Sequence, residues 1–357
     1  MERKIKIGKR IIGEGEPTFI IAEMSGNHNH EYSRAQKIID AAAESGADAI
    51  KLQTYTPDTM TIDCSKSFFQ VKTDNHWSGK TLYDLYKWAY TPWEWQEKLK
   101  KYTESKGLIF FSTPFDETAV DFLEKLNVLF YKVASFEVPD IPLLEKIGKT
   151  KKPVVISRGL ASFDEIKLAV KTLKKAGAPS VAVLHCISAY PATAEQMNLA
   201  TISDLAKRLK VTTGLSDHSL GVTTSIAGVA LGARIIEKHL TLKRSEGGPD
   251  SQFSLEPAEF KDLVYNIRQA EKAIGKPTYS LDKREKQNLV FRRSLFVVND
   301  IKKGEKFSSD NVRSIRPGFG LAPKYLKKFL GKTAASDTEK GTPLSWKMLC
   351  KPPCRSK

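Results

Sequence analysis

A (β/α)8 barrel followed by a small second domain is the fold class this sequence predicts. Three observations predict it. Eight short apolar runs recur along the chain, and helical patterns alternate with them. Gly46, Gly107, Gly177 and Gly232 each stand just after a helical pattern, where a C-terminal cap belongs. The texture then changes near Phe291, where this alternation gives way to short strands, turns and irregular sequence. A doubly wound open sheet is the alternative for the first part.

The elements follow in order. A hairpin-like segment at 4–12 is broken by Gly13-Glu14-Gly15-Glu16-Pro17. Strands are predicted at 19–24, 49–54, 108–112, 131–134, 153–157, 181–186, 212–215 and 234–240. Helical patterns lie between them at 33–45, 92–106, 117–126, 141–149, 162–176, 202–209 and 223–231. Residues 55–90 interrupt the alternation with an aromatic and polar insertion that contains Phe68, Phe69, Trp77, Tyr83, Tyr86 and Trp88. A long loop at the strand-exit end of a barrel is usually functional. A long helix at 257–274 ends at Gly275-Lys276-Pro277, and 282–287 is a charged linker. A strand at 293–298, a turn at 301–305 and an irregular stretch at 316–323 make a compact domain of foldable size. The expected organisation is a barrel over 1–280, a linker over 281–290, a second domain over 291–350 and a tail over 351–357.

The 357 residues, 41% of them hydrophobic, suffice for one large domain and one small one. No long apolar run follows Met1-Glu2-Arg3-Lys4, so neither a signal peptide nor a membrane span is expected. Cys64, Cys186, Cys350 and Cys354 make no disulfide framework, and a cytoplasmic, reducing location is the expectation. A metal site at Cys350 and Cys354 would need two further ligands, and none is expected there. The net charge of +16 is spread along amphipathic helices without a nucleic-acid-binding motif. It reads as a solvated lysine-rich surface, and its sign also suits an anionic substrate.

Barrel enzymes collect their chemistry where strands end and βα loops begin. Gly214-Leu215-Ser216-Asp217-His218-Ser219 and Ile236-Glu237-Lys238-His239-Leu240 stand at the last two strand ends. Residues i and i+2 share a strand face, so Ser216 points with His218 and Glu237 with His239. Two imidazoles at adjacent strand ends can hold one divalent metal and leave positions open for substrate. Two buried core histidines are the alternative. Lys51 and Lys132 each stand inside an apolar run, where an unpartnered lysine costs several kcal/mol, on the order of a lost buried ion partner. Their partner is either an anionic ligand or an ion pair with Glu23 or Glu137. Hydroxyls at Thr113, Ser135, Ser157, Ser188 and Ser216 can bond phosphate or carboxylate oxygens. Glu23, Glu137 and Asp250 can move protons. Together these residues describe a metal-assisted barrel enzyme that handles a phosphorylated carboxylate.

The chain also resembles a known family, the sialic acid synthases. The stretches that carry the resemblance are Ile-Ile-Ala-Glu-Met-Ser-Gly-Asn-His at 20–28, Gly-Ala-Asp-Ala-Ile-Lys-Leu-Gln-Thr at 46–54 and Phe-Ser-Thr-Pro-Phe at 111–115. Tyr-Lys-Val-Ala-Ser-Phe-Glu at 131–137, the two histidine segments and Gly-Pro-Asp at 248–250 complete the set. From about Phe291 the chain is similar to the antifreeze-like SAF (β-clip) domain, with Arg-Pro-Gly at 316–318. The resemblance implies condensation of phosphoenolpyruvate with an N-acetylated amino sugar. It implies a divalent metal, manganese or magnesium, and a domain-swapped homodimer. Position by position, it implies that Lys51, Thr113, Lys132, Ser135, Ser157, Ser188 and Ser216 hold phosphoenolpyruvate. His218 and His239 would bind the metal. Glu23, Gln53, Glu137, Tyr190, Asp250 and Arg316 would face the sugar, with Glu23 and Asp250 transferring protons and Arg316 acting across the dimer.

Within the family the chain is most similar to the pseudaminate branch, on Ser188, Phe319, Ser251-Gln252-Phe253-Ser254-Leu255 and Tyr55-Thr56-Pro57-Asp58. The implied sugar is 2,4-diacetamido-2,4,6-trideoxy-altropyranose, with Phe319 offering an apolar ring to it. The alternative for Phe319 is a packing residue of its own domain. Gly248-Pro249-Asp250 is more like the neuraminate and legionaminate branches, which are the alternative products. Arg158 departs from the family pattern and would add a cation near the phosphate. A non-catalytic carbohydrate-binding protein is a more distant alternative, and it would not require a polar ring inside the barrel.

Overall fold

The computed structural model describes residues 4–73 and 77–350. The chain divides between Gly275 and Lys276 into two compact units. Among the described residues, no helix is long and apolar enough to cross a membrane.

The first unit is a closed barrel, so the open doubly wound sheet is excluded. An antiparallel hairpin of β1 (Ile5–Ile7) and β2 (Arg10–Ile12) precedes it. The barrel strands are β3 (Phe19–Glu23), β4 (Ala49–Thr54), β5 (Ile109–Pro114), β6 (Tyr131–Val133), β7 (Val154–Ser157), β8 (Val181–Cys186), β9 (Thr212–Asp217) and β10 (Ile235–His239). All neighbours pair in parallel, and β10 closes the ring against β3. Two boundaries differ usefully from the predicted ones. β5 runs on through Thr113, and β9 through Asp217, so both carry their polar residues inside the strand.

Period-two alternation sorts the side chains into two cores. Ile20, Ala22, Ile50, Leu52, Tyr131, Val133, Ile156, Val183 and Ile236 pack outward against the helices. Phe19, Ile21, Ala49, Phe111, Val155, Ala182, Leu184 and Ile235 fill the barrel base, together with Phe130 and the hairpin's Ile5, Ile7 and Ile12. Phe111 and Phe130 stack there with ring centroids 4.0 Å apart. The hairpin therefore plugs the bottom of the barrel. Helix caps follow the sequence signals. Ser162 and Glu165 form a capping box on Phe163–Ala176, and Gly177 closes that helix at φ 127°.

In the second unit, a short helix, Lys283–Gln287, occupies the charged linker. β11 (Ser294–Val297) pairs antiparallel with β12 (Val312–Ile315). Leu295, Val297, Ile301, Phe307, Val312, Phe329, Ala334 and Leu344 form its core. The Arg316-Pro317-Gly318-Phe319-Gly320 loop is tied to β11. Ser294 Oγ donates to Pro317 O at 2.6 Å and accepts from Gly320 N–H at 2.9 Å. A Cβ at Gly320 would lie 2.2 Å from Leu295 O, so this approach demands glycine. Phe319 is 71% exposed, which removes the reading of it as a packing residue of its own unit.

Candidate active site

The inward face of each strand turns from apolar to polar toward its C-terminal end. On β3 the sequence Phe19, Ile21 ends in Glu23. On β4 Ala49 is followed by Lys51 and Gln53, and on β10 Ile235 by Glu237 and His239. Strand register brings these ends level. Glu23 pairs in register with both Lys51 and His239, and Ser216 with both Glu237 and Cys186. A cavity of about 390 Å³ opens above the apolar base. Glu23, Lys51, Gln53, Lys132, Ser135, Glu137, Ser157, Tyr190, Ser216, His218, His239 and Asp250 line it. The sequence placed all of these in the site.

Lys51 and Lys132 are buried at its floor. Lys51 Nζ lies 3.0 Å from Glu23 Oε2 and 3.3 Å from Glu237 Oε1, and it donates to Thr113 Oγ1 at 3.3 Å. Thr113 thus reaches the site through Lys51. Lys132 Nζ is 3.8 Å from the same Glu237 oxygen and donates to Val133 O at 3.2 Å. Ser216 Oγ donates to Glu237 Oε1 at 3.2 Å. The expected ion pair with Glu23 is present for Lys51, but Glu237 rather than Glu137 is the shared carboxylate. Burial holds the Lys132 ammonium below its usual range. For Lys51, burial is outweighed by Glu23 and Glu237, which hold it charged.

The remaining carboxyls divide by environment. Burial raises Glu23 above the usual carboxylate range, and the Glu237 charge adds to this against the pull of Lys51. Burial raises Glu137 to about 7. Gln53 Nε2 donates to Glu23 Oε1 at 2.9 Å and to Ser25 Oγ at 3.1 Å. Ser25 Oγ in turn donates to Asp250 Oδ2. A relay of four polar side chains therefore links Glu23 to Asp250 across the cavity rim. Among the described residues, Ser157 Oγ, Glu137 Oε2 and Glu237 Oε2 are buried without a hydrogen-bond partner. Each such atom costs roughly 1–3 kcal/mol unless a ligand or water meets it.

Gly159 packs against two of the predicted hydroxyls. Its φ is +38°, and a Cβ there would fall 2.3 Å from Ser135 Oγ and 2.7 Å from Ser188 Oγ. The glycine thus lets Ser135 and Ser188 approach one backbone turn beside Ser157. Arg158 does not itself line the cavity. As the outward neighbour of Ser157, it donates to His185 Nδ1 at 3.1 Å and to Gly159 O at 3.2 Å.

His218 and His239 face each other with ring centroids 5.3 Å apart, and Phe253 wedges against both. His218 Nδ1 donates to Ile187 O at 2.9 Å, which leaves Nε2 as the nitrogen free to bind. Buried His239 Nδ1 makes no hydrogen bond and lies 3.6 Å from Asp250 Oδ2. Burial, His218 and Lys51 keep His239 neutral. Among the described residues, no cluster of three or more His, Cys, Asp or Glu forms a metal cage. The pair would supply two nitrogens to a metal, with the remaining ligands left to substrate or water.

The insertion supplies the cavity's apolar flank: Met60, Val71, Trp77, Leu82, Leu85 and Tyr86 all line it. Trp77 Nε1 donates to Pro249 O at 2.8 Å, and its ring meets Tyr190 at 5.3 Å. Arg316 and Phe319 belong to the second unit. Cys350 is described and exposed; Cys354, with the tail, lies outside the described residues.

Sequence reasoning missed three features. Glu237 is the shared partner of both lysines, although only its common face with His239 was legible. Cys186 lines the cavity 3.8 Å from His218 Nδ1 and accepts from Ser135 Oγ at 3.6 Å. Burial pushes its thiol up, but His218, Ser135 and Lys132 outweigh burial and bring it to about 7. Counting in twos from the apolar base would have found Cys186. The third is a buried ion pair on the outward face, Asp217 with Lys238 at 3.0 Å. Asp217 also accepts from Ser219, Thr224 and Ser225 hydroxyls at 2.6–2.7 Å. It locks the two strands that present the histidines.

Comparison with known proteins follows the same division of the chain. The sequence model of the NeuB family matches residues 38–279, and that of the SAF domain matches 292–349. The pseudaminic acid synthase of Campylobacter jejuni serotype O:23/36 is 44% identical over 91% of this chain and 95% of its own. The N,N'-diacetyllegionaminic acid synthase of Campylobacter jejuni serotype O:2 is 37% identical over 90% of this chain and 96% of its own. A crystal structure of N-acetylneuraminic acid synthetase from Leptospira borgpetersenii, in complex with citrate, superposes with a TM-score of 0.72. It is 34% identical and covers 81% of this chain and 95% of that one.

Proposed function

The chain belongs to the NeuB family, and on that premise we propose that it synthesises pseudaminic acid. Phosphoenolpyruvate joins 2,4-diacetamido-2,4,6-trideoxy-altropyranose in its open-chain form, and phosphate is released. The observation that carries the reading is the pair of buried lysines among hydroxyls at the floor of a cavity. A small doubly anionic ligand suits that floor. The 44% identity to a pseudaminic acid synthase supports the choice of sugar.

Lys51 and Lys132 would take the phosphate and carboxylate charges, with Ser135, Ser157, Ser188 and Ser216 supplying hydrogen bonds. The held phosphoenolpyruvate presents carbon 3 to the aldehyde carbon above it. That bond forms as the aldehyde oxygen gains a proton, leaving an oxocarbenium at carbon 2. Water adds to carbon 2 and loses its proton. Phosphate then departs with its bridging oxygen, taking up a proton, while the carbon-2 hydroxyl gives up its own proton and becomes the keto group of the product. Glu23, whose carboxyl burial raises above the usual carboxylate range, is suited to give a proton to the departing group. Asp250, joined to it through Ser25 and Gln53, is suited to handle the proton at the aldehyde oxygen.

The two histidines support a divalent cation. His218 and His239 face each other at adjacent strand ends on the cavity wall, with His218 Nε2 not engaged by its backbone bond and His239 Nδ1 buried without a hydrogen bond. Manganese or magnesium held there would add positive charge for a dianion and polarise the aldehyde oxygen. The proposal also includes a homodimer and a cytoplasmic enzyme. The anchored, exposed Arg316–Phe319 loop is suited to meeting a ligand outside its own unit's core.

Phosphate release from phosphoenolpyruvate, with manganese present, tests the reading against three sugars. We expect release with the 2,4-diacetamido-trideoxy-altrose and little with N-acetylmannosamine or the legionaminate precursor. Preference for either of the other two would overturn the sugar assignment. Release with none of them, before and after metal reloading, would favour a carbohydrate-binding role.

A further inference from the structure

The helix Leu82–Ala89 carries an apolar stripe that its own chain covers only in part: Tyr86 meets the Tyr55 ring at 5.7 Å and Ala89 closes on Gly26, while Leu82 and Leu85 stay half-buried. Thr81 caps it, its hydroxyl accepting from Asp84 N–H at 3.0 Å. Leu82, Leu85, Tyr86 and Ala89 fall at i, i+3, i+4 and i+7, on one face. A surface helix ordinarily holds its place by burying such a stripe against a core. Here none of the helix residues is buried, and all four stripe residues line the cavity. Met60 and Val71, from separate segments of the insertion, extend the same flank. The charged and hydroxyl groups come instead from the barrel strand ends. One cavity therefore has a polar floor and an apolar flank, which suits an occupant that carries both polar and apolar surface.

We propose that this flank, centred on Leu82, Leu85, Met60 and Val71, determines sugar specificity by packing the carbon-6 methyl group and an acetamido methyl group. The inference rests on the function proposed above and deepens it. A hydroxyl placed against these side chains loses its water without gaining a partner. An apolar surface of this kind rejects an added hydroxyl by about 100-fold. The flank thus reads a deoxy carbon, while the strand ends read charge.

The test compares kcat/KM for 2,4-diacetamido-2,4,6-trideoxy-altrose with that for its 6-hydroxy counterpart, at saturating phosphoenolpyruvate. The wild-type protein should prefer the deoxy sugar by about 100-fold. Leu85→Asn should cut that preference to about tenfold or less, whereas Leu85→Met should keep it. Met60→Gln reads the same surface from another segment, should the helix variant fail to fold. Phosphoenolpyruvate affinity, measured by calorimetry, should be unchanged in each folded variant. Equal use of the two sugars by the wild type would overturn the inference and leave the proposed reaction standing. So would full preference retained in both polar variants. Use of neither sugar would overturn the proposed function and this inference with it.

Discussion

Lys51 shows how a residue's meaning depends on what surrounds it. A lysine in an apolar run signals a partner, and either a ligand or a carboxylate satisfies that signal. The structure supplies Glu23 and Glu237 within 3.3 Å, so the lysine is compensated before any substrate arrives. Both carboxylates are strand-end residues on β3 and β10, more than a hundred positions apart from one another in sequence. Only the closed ring brings them to one ammonium, which is why sequence reading chose Glu137 as an equal candidate. Glu137 instead has a separate role to test. Burial raises its carboxyl to about 7, so the folded state favours its protonated form. Its contribution to stability is therefore full in acid, below the unfolded carboxylate range. It is lost as pH rises through about 7, roughly 3 kcal/mol in all. Glu137→Gln should then gain stability over wild type at pH 8 and gain little at pH 4, read by urea denaturation. An equal change at both pH values would refute the raised carboxyl.

At the scale of elements, the alternation of strands and helices was legible, because period two and period 3.6 leave different apolar patterns. The polar strand ends were legible for the same reason. Parity was applied to β9 and β10 but not to β8, where counting in twos from Ala182 and Leu184 leads to Cys186. The outward pair of Asp217 and Lys238 was hidden differently. In sequence each sits between two inward site residues, so parity turns each outward, but nothing local shows that the two meet. In the fold they meet behind β9 and β10, both fully buried. Burial pushes Asp217 up, but Lys238 and three hydroxyls outweigh it and hold the carboxylate low. Removing one charge leaves the other buried and alone. Asp217→Asn should cost about 3–5 kcal/mol in urea denaturation. The double change Asp217→Asn with Lys238→Met should recover most of that loss. A single variant within about 0.5 kcal/mol of wild type would show the pair to be inert. The insertion stands between these cases. Its aromatic texture marked it as functional, but the stripe on Leu82–Ala89 is too short to distinguish a core-facing face from a cavity-facing one.

For the whole molecule, the sequence carried the architecture and the class of chemistry. Eight strands and a changed texture near Phe291 led to a closed barrel and a second unit with its own core. The net charge of +16 is carried in part by lysines on solvated helix faces. Lysines such as Lys100 and Lys101 pair with glutamates one turn away, as a solvated helix face requires. The cavity itself is the reverse of that surface, with more carboxyls than ammonium groups. This contrast could not be read from composition, because it depends on which few charges the fold gathers. The central claim is that the barrel joins phosphoenolpyruvate to a sugar aldehyde through carbon 3 and expels phosphate by breaking the carbon–oxygen bond. Phosphoenolpyruvate labelled with 18O in the bridging position, turned over with the diacetamido-trideoxy-altrose and manganese, tests it most directly. The account predicts that the label leaves in phosphate and that the product gains three carbons. Label retained in the product, or phosphate released without carbon–carbon bond formation, would contradict it.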